Sequence, residues 1–74
     1  MRIDFSRHAK RRAKLYGIQE STIREILSEL SFDDGEYELI RDVSGFNYPI
    51  KIVNSVKRSI LTVITSYPLN KGVK

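Results

Sequence analysis

The chain has 74 residues, a net charge of +4 and no cysteine, which excludes disulfide staples and thiolate zinc sites. A chain this short is expected to form one domain over 1–74 that buries only about 60% of the surface its unfolded form exposes, so a partner or self-association is the remaining source of added stability. No apolar run approaches the roughly 18 residues that a membrane span needs and no apolar signal core opens the sequence, so a soluble cytoplasmic protein is expected.

In chain order, "RIDF" reads as a short extended start. The next stretch, "SRHAKRRAKLYGI", predicts a helix from Arg7 to Tyr16, because Ser6 can cap its start and Gly17 can supply the left-handed residue past its end. On that helix Ala9, Ala13 and Tyr16 fall at the spacing of a buried stripe, while Arg7, Lys10, Arg11 and Lys14 project the other way. His8 and Arg12 sit between the two, four residues apart on one side. In "QESTIREILSEL", Ile23, Ile26, Leu27 and Leu30 form a second amphipathic stripe, with Glu20 early and Ser21 either the cap or a first-turn residue. "DDG" breaks the helical period, and Gly35 permits a tight turn.

From Glu36 the period becomes two. "EYELIRDV" places Tyr37, Leu39 and Val43 on one face, "YPIKIVN" places Tyr48, Ile50 and Ile52 together, and "ILTVITSYPL" places Leu61, Val63 and Tyr67 together with Thr65 between them. These predict strands joined by "SGFN" and "NSVKRS" as turns, followed by a frayed basic tail, "NKGVK". The expected fold is α+β: a short N-terminal strand and a two-helix hairpin packed on one face of a curved, largely antiparallel sheet, in the order β-α-α-β-β-β.

The charge is segregated along this order. Residues 1–18 carry a net +5, residues 19–42 a net −6, and residues 43–74 a net +5 with no acid at all. A fold that joined the basic ends and turned the acidic middle away would present a positive face suited to a phosphate-rich partner, whereas a plain reading is a well-solvated surface of mixed sign.

A strand, a helical hairpin and a three-stranded meander in so short a chain resemble the RelE/ParE-like toxins of toxin–antitoxin modules and their relatives, the barnase/EndoU/colicin/RelE group of metal-free ribonucleases. More specifically, "S.HA..R....GI" before an amphipathic helix, with "VITSYPL" in the final strand, resembles a family of small uncharacterised domains of that group. Tyr16 stands where that family commonly has an arginine before the Gly-Ile pair. The resemblance implies RNA binding and metal-free cleavage, with RNA, the ribosome and an antitoxin as partners. Such toxins keep cations on the sheet and often a tyrosine or histidine near the C-terminus, for which Lys51, Arg58 and Tyr67 are the counterparts by element and residue type.

Metal-free RNA cleavage needs a base, an acid and cations around the phosphorane. His8 is the only side chain whose ordinary pKa suits proton transfer near neutral pH. It is either a catalytic group or a plain helix-start histidine. Arg12 can hold a phosphate bidentately or pair with an acid of the second helix. Tyr67 can donate a proton or stack on a base, or else simply pack in the core. The candidate catalytic set is thus His8, Arg12 and Tyr67; the candidate RNA-binding set is Arg7, Lys10, Arg11, Lys14, Lys51, Lys57 and Arg58. Lys51 falls on the strand face opposite Tyr48, Ile50 and Ile52, and Lys57 and Arg58 fall in a turn. With one histidine, no cysteine and scattered acids, neither a metal site nor a cofactor is expected. The alternative to an RNA-binding domain that cleaves is a non-catalytic interaction domain whose basic face serves a protein or nucleic-acid partner, and a second copy of the chain is a further candidate partner.

Overall fold

The computed structural model describes residues 2–69, and the "NKGVK" tail lies outside them. The elements are β1 (Arg2–Phe5), α1 (Arg7–Tyr16), α2 (Glu20–Ser28), β2 (Gly35–Arg41), β3 (Ile50–Lys57) and β4 (Ile60–Pro68). The strands form one mixed sheet in the order β1-β4-β3-β2, with β1 parallel to β4 and the other pairs antiparallel. This is the expected α+β arrangement. None of the described helices is long and apolar enough to cross a membrane.

Local chemistry sets the limits of α1. The Ser6 hydroxyl accepts from the Ala9 N–H at 3.0 Å, and Gly17 adopts φ 71° beyond the last turn. Ile18 N–H then donates to the Ala13 carbonyl at 2.8 Å, and Gly17 N–H to Lys14 at 3.3 Å. That pair of bonds folds the chain back over its own helix. The turn corrects one expectation, because Tyr16 is 37% exposed and Ile18, only 4% exposed, completes the stripe begun by Ala9 and Ala13.

In α2, Gln19 occupies the N-cap position and Ser21 lies in the first turn beside Glu20. Ile23 and Leu27 are buried, and Ile26 packs against the same core. Arg24 projects to β1, donating to the Ile3 carbonyl at 2.8 Å with its guanidinium 4.9 Å over the Phe5 ring. One side chain therefore fastens the edge strand to the helical layer.

The core joins these helical residues to Ile50, Ile52 and Val56 of β3 and Leu61 and Val63 of β4. Tyr48 does not share that face, because it precedes Pro49 and β3, and it is exposed. The expected "NSVKRS" turn is also shorter than read: β3 continues through Lys57, and Arg58 and Ser59 alone reverse the chain, with φ 54° and 65°.

The larger departure is in β4. Val53 pairs with Thr65 but Asn54 pairs with Val63, so Ile64 is an extra residue in a β-bulge. Beyond it the alternation inverts. Ser66 joins Leu61 and Val63 on the helix side, fully buried, while Thr65 and Tyr67 turn to the open face. The expected placement of Tyr67 with the core residues is therefore corrected, because a one-residue insertion exchanges the two faces of everything after it.

Ser6 holds this junction together. Besides capping α1, its hydroxyl donates to the Ile64 carbonyl at 3.0 Å, and its N–H donates to the Val63 carbonyl at 3.0 Å. Replacing Ser6 with Ala should cost about 2 kcal/mol, the sum of a lost cap and a carbonyl left without its donor. Urea unfolding should show a lower midpoint with an unchanged slope, and Ser6→Thr should recover most of the loss.

Candidate nucleic-acid interface

The cations named from the sequence divide into two groups on opposite sides of the sheet. The first belongs to α1. Arg7, Lys10, Arg11 and Lys14 are exposed along the helix, as is His8, while Arg12 is half-buried. Arg12 Nη1 donates to the Tyr16 hydroxyl at 3.4 Å, one turn on. Among the described residues no carboxylate lies within ion-pair distance of any of these five cations, so Arg12 does not pair with an acid of α2. Their charge faces solvent uncompensated, on a helix whose own apolar side is held against β4 by Ala9 and Ala13.

The second group lies on the sheet face that the helices do not cover. Lys51 pairs in register with Tyr67, and its Nζ lies 3.0 Å from Glu38 Oε1 on the neighbouring β2. The hydrogen bond to Glu38 is the main influence that raises the Lys51 pKa above its ordinary 10.5; burial opposes it, while the charges and the hydrogen bond of Glu38 and Tyr67 support it. Lys51 is therefore a fixed cation at neutral pH and not a proton acceptor. At the far end of the same face, Ser55, Lys57, Arg58, Ile60 and Thr62 line an open concavity of about 340 Å³.

The three residues proposed for proton transfer and phosphate holding are thus only partly brought together. His8 and Arg12 share a side of α1, as the four-residue spacing requires. Tyr67 is on the other side of the sheet, beside Lys51, because of the bulge at Ile64. The sequence reading missed Glu38 as the partner of Lys51 and Asp34 as a contact of the hairpin, where its carboxylate oxygens accept the Arg58 N–H at 3.2 and 3.4 Å. Both follow from the β2–β3 register, in which Gly35 opposes Val56 and Glu38 opposes Val53. A register of that kind is not written in the acids themselves.

Among the described residues no cluster of three or more metal-binding side chains occurs. Comparison with protein-family models, with curated proteins and with solved structures yields no match to the chain.

The Lys51–Glu38 pair carries a pH signature. Because the folded pKa of Lys51 is raised, its stabilising contribution is complete below the ordinary value of 10.5 and disappears as pH climbs through the folded value. Glu38→Gln should return the Lys51 titration toward 10.5, as followed by NMR of the lysine side chain. A titration unmoved by that change would mean that Glu38 does not hold the lysine.

Proposed function

We propose that this is a RelE-like domain that binds RNA through the cationic face of α1. The observation that carries this reading is the set of five cations on one helix, Arg7, Lys10, Arg11 and Lys14 exposed on one side and Arg12 half-buried at its border, none with a carboxylate partner among the described residues. Uncompensated cations at helical spacing match the charge of a phosphate backbone, and binding gains from the counterions released. The element order and the His-Ala-x-x-Arg stretch support the family reading.

Cleavage is the enzymatic form of the same proposal. In it, His8 takes the proton of the 2′-hydroxyl as that oxygen bonds to phosphorus, and Arg12 holds the phosphate. The bond from phosphorus to the 5′-oxygen breaks, and the departing oxygen takes its proton from the protonated His8 or from water. A non-catalytic interaction domain is the second reading, and the position of Tyr67 favours it. The tyrosine faces away from α1, so it does not give the leaving oxygen its proton beside His8.

Affinity for a single-stranded RNA should fall steeply with salt, with a logarithmic slope of about −3.5 if all five cations engage phosphates. Fluorescence anisotropy across a salt series measures this, and a slope near zero would remove the electrostatic basis. His8→Ala should leave affinity unchanged and reduce cleavage by about 100-fold, whereas Arg12→Ala should lower affinity and rate together. Wild-type protein that binds RNA but never cleaves it, with or without ribosomes, decides for the interaction domain.

A further inference from the structure

The β3–β4 hairpin reverses on two residues that are poorly suited to it. Arg58 and Ser59 both have positive φ, 54° and 65°, the conformation for which two-residue hairpins ordinarily use Asn-Gly. An arginine and a serine there are strained, and the strain is retained by an external contact. The Asp34 carboxylate, reaching from the segment before β2, accepts the Arg58 N–H with both oxygens, at 3.2 and 3.4 Å. Strain that the surroundings hold in place marks sites where side-chain placement matters more than the ease of the turn.

What this turn positions is the rim of the open concavity. Ser55 and Thr62 pair across β3 and β4 at its floor, Ile60 forms an apolar wall, and Lys57 and Arg58 stand at its edge. The other cations of that face are engaged, Arg2 with Asp4 at 3.0 Å and Lys51 with Glu38 at 3.0 Å. Among the described residues Lys57 and Arg58 have no ion-pair partner. Of the nearby acids, Asp4, opposite Thr62 in register, is held by Arg2, and Asp34 accepts from the Arg58 backbone. Glu36, opposite Ser55, has no ion-pair partner among the described residues and offsets one of the two positive charges. Two free cations beside two hydroxyl donors form a donor set for a tetrahedral oxyanion, and the concavity is open, so a larger group carrying that oxyanion can extend into solvent.

We propose that this hairpin end is a phosphoryl-binding site, separate from the α1 face, that receives a phosphate carried on a larger group such as a nucleotide. Arg58 and Lys57 neutralise the oxyanion, Ser55 and Thr62 donate hydrogen bonds to it, and Asp34 is a positioning residue that keeps the turn in the form that aims Arg58. The site does not depend on RNA binding by α1.

The test replaces Arg58 and Ser59 together with Asn and Gly in the full chain. This relaxes the turn, so the thermal midpoint should rise, while it removes a phosphate-holding cation, so affinity should fall by about 10-fold or more. Backbone amide shifts are followed by NMR as inorganic phosphate, a nucleoside 5′-monophosphate and a short single-stranded RNA are added in separate arms. Shifts at residues 55–62 in the wild type that are lost in the double variant support the site. A response to the monophosphate identifies a free nucleotide-like ligand, and a response to RNA alone identifies a strand phosphate. Asp34→Asn should weaken binding while Lys57 and Arg58 are still present, and Arg58→Lys should restore part of what Arg58→Ala loses. Shifts confined to residues 7–14, or equal affinity in the wild type and the Asn-Gly variant, overturn the proposal and leave the α1 reading untouched.

Discussion

The inserted residue in β4 is the constraint on which the surfaces of this domain depend. With Ile64 unpaired, the strand contributes Leu61, Val63 and Ser66 to the helical side and Thr65 and Tyr67 to the open side. Without it, Tyr67 would turn to the helical side and Ser66 to the open face. Ser6 connects the bulge to the rest of the fold, because one hydroxyl both starts α1 and binds the bulge carbonyl. Helix position and strand phase are therefore set at one point. In a domain too small to have a deep core, such a junction carries more of the architecture than it would in a larger protein.

This arrangement alters the meaning of the charge segregation. The two basic ends of the chain do become neighbours, since β1 pairs with β4 and α1 packs on β4. Their cations nevertheless point to opposite sides of the sheet. The acidic middle is not simply turned away either: Glu38 reaches Lys51, and Asp34 reaches the turn that carries Arg58. The acids thus select which cations remain free. Among the described residues the open face keeps Lys57 and Arg58 without an ion-pair partner, and the helical side keeps the cations of α1 together with Arg24 and Arg41, which bond to backbone carbonyls instead.

The domain also shows how local bonds substitute for covalent staples. Arg24 covers the exposed carbonyl of Ile3 and the Phe5 ring, which protects an edge strand of four residues. Tyr37 donates to the Asp33 carbonyl at 2.6 Å and packs on Phe32 with ring centroids 4.8 Å apart, which fixes the loop that presents Asp34. The strained hairpin opposite is in turn steadied by that Asp34. Each contact is modest on its own. Together they define which side chains are presented at the two ends of β3 and β4.

Local pattern by itself determined the element order and the limits of α1, because capping by Ser6, the left-handed Gly17 and the alanine spacing are all decided within one or two turns of chain. It also determined that Ile50, Ile52, Leu61 and Val63 are core residues and that Lys51 lies away from the helices. The exchange of faces at Ile64 was beyond it, since the sequence "LTVITSY" alternates equally well with or without an extra residue, and only pairing with β3 and the bond to Ser6 select the bulge. The same holds for Tyr16 and Ile18, whose exchange depends on the backbone folding over α1, and for Glu38 and Asp34, whose partners depend on register. Composition and spacing specify which residues can be buried or charged. Which of them meet across the sheet is decided by hydrogen-bond register between strands distant in sequence, and only the assembled tertiary structure supplies that.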